Sequence, residues 1–168
     1  MRQFGVLVKN IDLSQHGLHL LGNLNSLVAE YPDLCPIVFY ETYSTLAYPA
    51  HFAMVQHKEA WLFDGPIIAS SIDMVQTLLQ CPRPNPKFFY VWNLDWIYMS
   101  PNQPSIQLSF LNHIYTNDDI QLIARSEQHA RIIENCWKKP ASIIEDFNYH
   151  DIAKLIKQTS KELPEPIM

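Results

Sequence analysis

Short apolar runs alternate with amphipathic stretches along most of the chain. Between residues 119 and 146, an apolar run at 120–124 is followed by an amphipathic run at 127–137 and by a second apolar run at 141–144. These lengths are typical of the strand, helix and strand of a parallel β-α-β crossover. The run at 36–40, PIVFY, shows no alternation of polar and apolar residues, which is typical of strands that are covered on both faces.

The same pattern predicts about six strands, each followed by a helix. The predicted strands lie at residues 4–8, 36–40, 66–71, 87–92, 120–124 and 141–144. The predicted helices lie at residues 16–31, about 49–63, 72–79, about 105–115, 127–137 and 150–161. Strands that alternate with helices predict an α/β fold with a single doubly wound, mainly parallel sheet, which is Rossmann-like and has helices on both faces. The expected strand order is 3-2-1-4-5-6.

The length and composition of the chain indicate one globular domain. The chain has 168 residues, of which 48% are hydrophobic and 17% are charged, so it can bury a sizeable core. We predict a single domain at residues 1–161 and a polar tail at residues 162–168. The formal net charge of -5 argues against broad capture of nucleic acid or of anionic lipid.

The sequence also bears on the location of the protein. No apolar run approaches the roughly 18 residues of a membrane-spanning helix, and the run at 4–8 is too short for a signal peptide. The three cysteines are widely spaced and form no CxxC pair, which favours reduced thiols. We therefore expect a cytoplasmic protein that has no membrane partner.

Several common site signatures are missing from the sequence. The loop after the first predicted strand, KNIDLSQHGLH, has one glycine where a dinucleotide fingerprint has three, and it has no GxxxxGK[ST] motif. The seven histidines form no HxH or HExxH pair, and no GxSxG elbow occurs. The sequence therefore predicts neither a cofactor nor a metal site.

Polar residues follow every predicted strand, and open α/β sheets bind ligands at the carboxyl ends of their strands. His16 is a candidate general base, because an imidazole titrates near neutral pH. Asp95 is followed by Trp96, so its carboxylate could hydrogen-bond a sugar whose apolar face stacks on the ring. The candidate ligand-binding residues are Asn10, Asp12, Ser71, Asn93, Arg125 and Ser126.

Each candidate also has a purely structural interpretation. Asn93 and Asp95 are residues that form turns and cap helices, and His16 could be an exposed residue at the start of a helix. Ser126 is expected to cap the helix that follows it, while Arg125 could in addition clamp a phosphate or a carboxylate. Most aromatic residues are expected to pack in the core, and the remainder could form a surface for a protein partner or another subunit.

One long segment resembles the closing part of the N-terminal domain of GT-B glycosyltransferases. The segment is IQLIARSEQHARIIENCWKKPASIIEDFNYHDI, in which Ser126 falls on the family's strand-end serine and residues 146–148 fall on its terminal loop. Together with two earlier segments, the resemblance spans residues 4–155.

The two earlier segments match the family less closely. FYVWNLDW is similar to the family's preceding strand, which often ends in a His-Asp pair; here Asn93 replaces the histidine and Leu94 is inserted before Asp95. SQHGLHLLGNLNSLV is similar to the family's first loop and helix, with Gly17 alone in place of a glycine pair.

The resemblance implies the acceptor-side half of a glycosyltransferase, which would bind a sugar, a nucleotide or a glycosyl acceptor. In that family a second domain holds most of the nucleotide sugar, so a protein partner or a homodimer would have to complete the donor site. His16 or Asp95 would then be the catalytic base. The alternative is a non-catalytic protein-interaction or regulatory module on the same fold.

Overall fold

The computed structural model describes residues 1–12, 14–44, 49–98 and 104–162. Its strands are β1 (Arg2–Ile11), β2 (Leu34–Tyr43), β3 (Ala53–Gln56), β4 (Ile67–Ala69), β5 (Lys87–Val91), β6 (Ile120–Ala124) and β7 (Ser142–Ile143). They form one sheet in the order β3-β2-β1-β4-β5-β6-β7, and every neighbouring pair is parallel. The predicted α/β class with a Rossmann-like parallel sheet is confirmed.

Helices cover both faces of this sheet. The helices are α1 (Gln15–Glu30), α2 (Ile72–Gln80), α3 (Pro104–Tyr115), α4 (Glu127–Cys136) and α5 (Tyr149–Glu162). Apolar residues of α1 and α5 belong to one core layer, and those of α2, α3 and α4 belong to the other. No helix among the described residues is long and apolar enough to cross a membrane.

The strands supply both core layers because successive side chains point to opposite faces of a sheet. In β1, Val6 and Val8 pack in the layer beneath α1 and α5, whereas Leu7 packs in the layer beneath the other three helices. In β5, Phe88 and Phe89 divide between the two layers in the same way. Two covered faces explain why the strands appear in the sequence as unbroken apolar runs.

One predicted element is wrong. The segment at about 49–63, which was predicted to be helical, contains the edge strand β3 and a 3₁₀ turn over His57–Leu62. Met54 and Val55 pack in different core layers, as residues of a strand do, although the wider apolar spacing resembles that of a helix. The predicted strand order is wrong at the same place. The strand predicted as the third is β4 of the structure, and it pairs with β1 and not with β2.

The end of the chain agrees with the sequence only in part. The helix predicted at 150–161 corresponds to α5, and Glu162 belongs to this helix and not to the predicted polar tail. The remainder of that tail, residues 163–168, lies outside the described residues.

Replacing Gly5 with alanine is expected to lower the free energy of unfolding by about 1–3 kcal/mol. Gly5 lies in β1 between β2 and β4, and a Cβ atom there would lie 2.6 Å from Cγ1 of Ile67 and 2.9 Å from Cε2 of Phe39. Urea denaturation at fixed pH would measure the change. The matched control is Gly22→Ala inside α1, which should raise stability by about 0.5–1 kcal/mol. Equal stability of the Gly5→Ala variant and the wild type would contradict the tight packing of β1.

Candidate functional site

The sheet changes its winding direction between β1 and β4. The chain leaves β1 through α1 on one face and leaves β4 through α2 on the other, so the two loops diverge at the carboxyl ends of these strands. In open α/β sheets this divergence forms the crevice in which ligands bind. A cavity of about 280 Å³ lies there, and we call it the switch-point crevice.

Six of the eight site residues predicted from the sequence line the switch-point crevice. They are Asn10, Asp12, His16, Ser71, Asn93 and Asp95. They converge because Asn10 lies at the carboxyl end of β1 and the other five follow β1, β4 and β5, which are neighbours in the sheet. Arg125 and Ser126 follow β6, one strand further from the change of direction, and do not line the crevice.

The loop between β1 and α1 fixes the position of His16. Asp12 Oδ1 accepts a hydrogen bond from the backbone N–H of Ser14 at 2.9 Å, and Ser14 Oγ accepts one from the N–H of Gly17 at 3.1 Å. A Cβ atom at Gly17 would lie 2.6 Å from the Asp12 carbonyl oxygen, so the close turn requires glycine. The resulting cap begins α1 and holds His16 in its first turn.

His16 stacks on an aromatic ring that forms part of the crevice wall. Its ring centroid lies 4.8 Å from that of Trp92, and the two planes are inclined by 22°. Burial lowers the pKa of His16, and the nearby guanidinium of Arg125 lowers it further. The neutral imidazole is thereby favoured, which is the form that can accept a proton.

A fixed turn supports Trp92 from behind. The Tyr90 hydroxyl donates a hydrogen bond to the Ile144 carbonyl at 2.7 Å and accepts one from the N–H of Phe147 at 2.7 Å. Asp146 and Phe147 have φ values of 41° and 58°, in the left-handed region that side chains disfavour. The Phe147 ring stacks on Trp92 with 6.0 Å between centroids. The hydroxyl of Tyr90 therefore stabilises the strained turn that backs the His16–Trp92 pair.

Arg125 is held by the same turn. Its Nε donates to Asp146 Oδ1 at 3.1 Å, and one of its terminal nitrogens lies 3.5 Å from the Trp92 carbonyl oxygen. Its guanidinium is therefore occupied by protein acceptors. Ser126 has the predicted structural role, because its Oγ accepts from the N–H of His129 at 3.2 Å and caps α4.

Asp95 contacts Tyr115, whereas His16 contacts Trp92. Its Oδ2 accepts a hydrogen bond from the Tyr115 hydroxyl at 2.9 Å, and burial raises its pKa. No hydrogen bond between Asp95 and His16 occurs among the described residues, although both line the crevice. The two predicted catalytic residues therefore share a cavity without forming a hydrogen-bonded pair.

Ser71 brings a hydroxyl without a hydrogen-bond partner among the described residues to the wall of the crevice. It lies at the start of α2, yet its side chain makes no capping hydrogen bond. Its Oγ is buried and has no hydrogen-bond partner among the described residues. Buried hydroxyls are usually paired, so Ser71 leaves an unfilled hydrogen-bonding position in the wall of the crevice.

The described residues contain no cluster of three or more His, Cys, Asp or Glu side chains that could hold a metal ion. The polar groups of the crevice are instead amides, hydroxyls, carboxylates, an imidazole and the ammonium of Lys9. These groups can hydrogen-bond a ligand, and the imidazole can accept its proton.

The free energy of unfolding is expected to fall as the pH drops below about 6.5. Burial, and then Arg125, lower the pKa values of His16 and His129, so the unfolded chain binds protons at a pH where the folded chain does not. Stability is therefore complete above the ordinary histidine pKa and is lost below it. Asp95 acts in the opposite direction at lower pH because its pKa is raised.

Urea midpoints at about pH 7.5 and about pH 5.5 would measure this loss. The double variant with His16→Gln and His129→Gln should lose less stability over the same interval than the wild type. An equally steep loss in the double variant would contradict the assignment to these two histidines.

Fold and crevice together define an α/β protein with a polar crevice at the change of winding direction. Comparison of the chain with family models, with curated proteins and with solved structures gives no match. The proposed function therefore depends on the geometry and chemistry of the crevice.

Proposed function

We propose that the chain is a glycosyltransferase-like domain, the acceptor-side half of a GT-B arrangement, that binds a sugar, a nucleotide or a glycosyl acceptor in the switch-point crevice. The observation that carries the proposal is the convergence of five predicted polar side chains, those of Asn10, Asp12, Ser71, Asn93 and Asp95, beside the His16–Trp92 stack. Polar groups of this kind suit a sugar, because each sugar hydroxyl needs a hydrogen-bond donor or acceptor.

The size of the crevice supports a small ligand. Its volume of about 280 Å³ is near the lower end of ligand pockets, which begin at roughly 300 Å³. A single sugar ring or a nucleoside would occupy a space of this size. The unpaired Ser71 hydroxyl and the exposed Asn93 amide would offer hydrogen bonds to it.

If the domain transfers glycosyl groups, His16 is the better placed base. Its imidazole, biased toward the neutral form, would accept the proton of the acceptor hydroxyl as that oxygen bonds to the anomeric carbon. At the same time the bond from that carbon to the phosphate oxygen of the donor would break. Asp95, already hydrogen-bonded to Tyr115, would orient the acceptor. A donor-side unit would have to complete the site.

A cytoplasmic location belongs to the same proposal. It is supported by the three cysteines, Cys35, Cys81 and Cys136, which are free thiols.

A second candidate function is a protein-interaction module. It is favoured by Trp61 and Leu62, which lie in the turn after the edge strand β3 and are 44% and 66% exposed. Neighbouring apolar side chains of this kind are enriched at protein interfaces. A partner captured by the wild type, and lost with a Leu62→Asp variant, would support this candidate.

A thermal-shift screen with nucleosides, nucleotides, nucleotide sugars and simple glycosides tests the proposed function. A ligand at a hundred times its Kd adds about 2.7 kcal/mol to the free energy of unfolding, which shifts the Tm measurably. For a ligand that binds, Asn93→Ala should weaken affinity by about two- to tenfold through the loss of one hydrogen bond.

The matched control is Asn112→Ala, an exposed asparagine of α3 that does not line the crevice. It should bind the same ligand as the wild type does. Equal affinities of the two variants, or no shift with any compound, would contradict the proposed function.

A further inference from the structure

We infer that the switch-point crevice selects an uncharged, hydroxyl-rich ligand and discriminates against the phosphorylated form of the same ligand. This inference rests on the proposed function, since it specifies which of the sugar-containing compounds the crevice accepts. It follows from where the charges of the crevice lie and from which of them are already paired.

The carboxylates of the crevice outnumber its available cations. Asp12 and Asp95 line the cavity, together with Lys9 and His16 as the basic residues among its described lining. Lys9 Nζ lies 2.5 Å from Asp73 Oδ2, so this half-exposed ammonium already has a carboxylate partner near the crevice. His16 is biased toward the neutral imidazole by burial and by Arg125. A phosphate would therefore meet two carboxylates without an unpaired cation.

The two helix ends beside the crevice offer little to a phosphate. Helix N-termini attract phosphate through free N–H groups and a partial positive charge. At α1, the Ser14 side chain takes the N–H of Gly17, and Asp12 takes the N–H of Ser14. At α2, the Ser71 side chain makes no capping hydrogen bond, but Asp73 in the first turn offsets the partial positive charge with a carboxylate. Side-chain oxygens thus hold the N–H groups at α1, and a carboxylate opposes a phosphate at α2.

Arg125 does not add an available cation to the crevice. Its guanidinium lies close enough to His16 to lower the pKa of the imidazole, but it is paired with Asp146 and does not line the cavity. Asp146 belongs to the left-handed turn that the Tyr90 hydroxyl holds in place. Releasing Arg125 for a phosphate would leave the Asp146 carboxylate without its partner.

Neutral hydroxyls, by contrast, find both kinds of hydrogen-bonding group. Asn10 and Asn93 carry amides, Ser70 and Ser71 carry hydroxyls, and all four line the cavity. The Asp95 carboxylate can accept from a sugar hydroxyl, and a charged hydrogen bond of this kind is stronger than a neutral one. Burial already raises the pKa of Asp95, so a second negative charge nearby would be strongly disfavoured.

The test compares ligand pairs that differ only by a phosphate: uridine with uridine 5′-monophosphate, and methyl glucoside with its 6-phosphate. Isothermal titration of the full chain at low salt should show the phosphorylated member of a binding pair to be weaker by on the order of tenfold. The difference should shrink as the ionic strength rises from about 0.02 M to about 0.2 M, because salt screens the repulsion.

A variant with one carboxylate removed tests whether the preference has an electrostatic origin. Asp73→Asn removes a carboxylate at the rim and frees Lys9, so it should strengthen binding of the phosphorylated member by several fold and leave the neutral member unchanged. The matched control is Asp151→Asn, an exposed acidic residue in the first turn of α5, which should alter neither affinity.

The outcomes separate this inference from the proposed function. Equal or tighter binding of the phosphorylated member by the wild type would overturn the inference and leave the proposed function standing. A preference for the neutral member that Asp73→Asn does not reduce would contradict its electrostatic origin. No saturable binding by any of the four compounds would overturn the proposed function, and the inference with it.

Discussion

Replacing Tyr90 with phenylalanine is expected to lower the free energy of unfolding by about 2–5 kcal/mol, although only one oxygen atom is removed. That oxygen is fully buried and bridges the Ile144 carbonyl and the N–H of Phe147. Without it, a buried donor and a buried acceptor are left unpaired, and each costs about 1–3 kcal/mol. The left-handed turn at Asp146 and Phe147 would also lose the contact that holds it.

The control for this prediction is Tyr40→Phe. Tyr40 lies in β2, is partly exposed, and its described contact is with the ring of Tyr43 and not through its hydroxyl. The Tyr40→Phe variant should lose less than about 0.5 kcal/mol of its free energy of unfolding, as surface variants usually do. Guanidinium denaturation of the two variants measures both values. Similar stabilities for the two would show that the Tyr90 hydroxyl does not support the turn.

Replacing Trp92 with alanine is expected to cost about 3–5 kcal/mol of stability. Trp92 is 6% exposed, and its ring contacts His16 on one side and Phe147 and Tyr90 on the other. Its removal leaves a cavity and deprives His16 of its stacking partner. Any ligand that binds the switch-point crevice should also bind this variant more weakly.

Trp61→Ala is the matched control for Trp92→Ala. The side chain of Trp61 is 44% exposed in the turn after β3, so its loss should cost less than about 1 kcal/mol and leave crevice ligands unaffected. A Trp92→Ala variant as stable as Trp61→Ala would contradict the role of the aromatic stack.

Most of the fold could be predicted from the sequence, because each buried strand leaves a local run of apolar residues. β1, β2, β5 and β6 are apolar runs bounded by polar residues, and a strand covered on both faces requires such a run. The edge strand β3 could not be recognised, because it is four residues long and half exposed. Its few apolar positions fit a helix as well as a strand. A local sequence pattern also does not determine which strands a segment pairs with in the sheet.

The candidate site was predictable to the extent that topology determines it. Asn10, Ser71 and Asn93 converge because they lie at or just after the carboxyl ends of neighbouring parallel strands, which the alternation of strands and helices implies. The contacts that define the chemistry were not predictable. Tyr90 and Ile144 are separated by 54 residues, and Asp95 and Tyr115 by 20. Such pairs arise from packing, which no motif in the sequence records.

Trp92 was missed as a site residue for a related reason. In the sequence it is the last aromatic residue of an aromatic strand, and such residues are usually core. Its importance depends on the ring of His16, which lies on a different element and was predicted only as a possible base. An aromatic residue at the carboxyl end of a central strand is the signal that could have drawn attention to it.

The most direct test of the central claim, that the switch-point crevice binds a glycosyl compound, is a titration followed by ¹H–¹⁵N correlation spectra. Uridine and methyl glucoside are the first ligands to add, each to the ¹⁵N-labelled chain. We predict saturable shifts at the backbone amides of Asn10, Ser71 and Asn93, which line the crevice. A hollow beside α5, lined by Tyr31 and His150, should show none. Shifts confined to that hollow, or no saturable shift with either compound, would contradict the account.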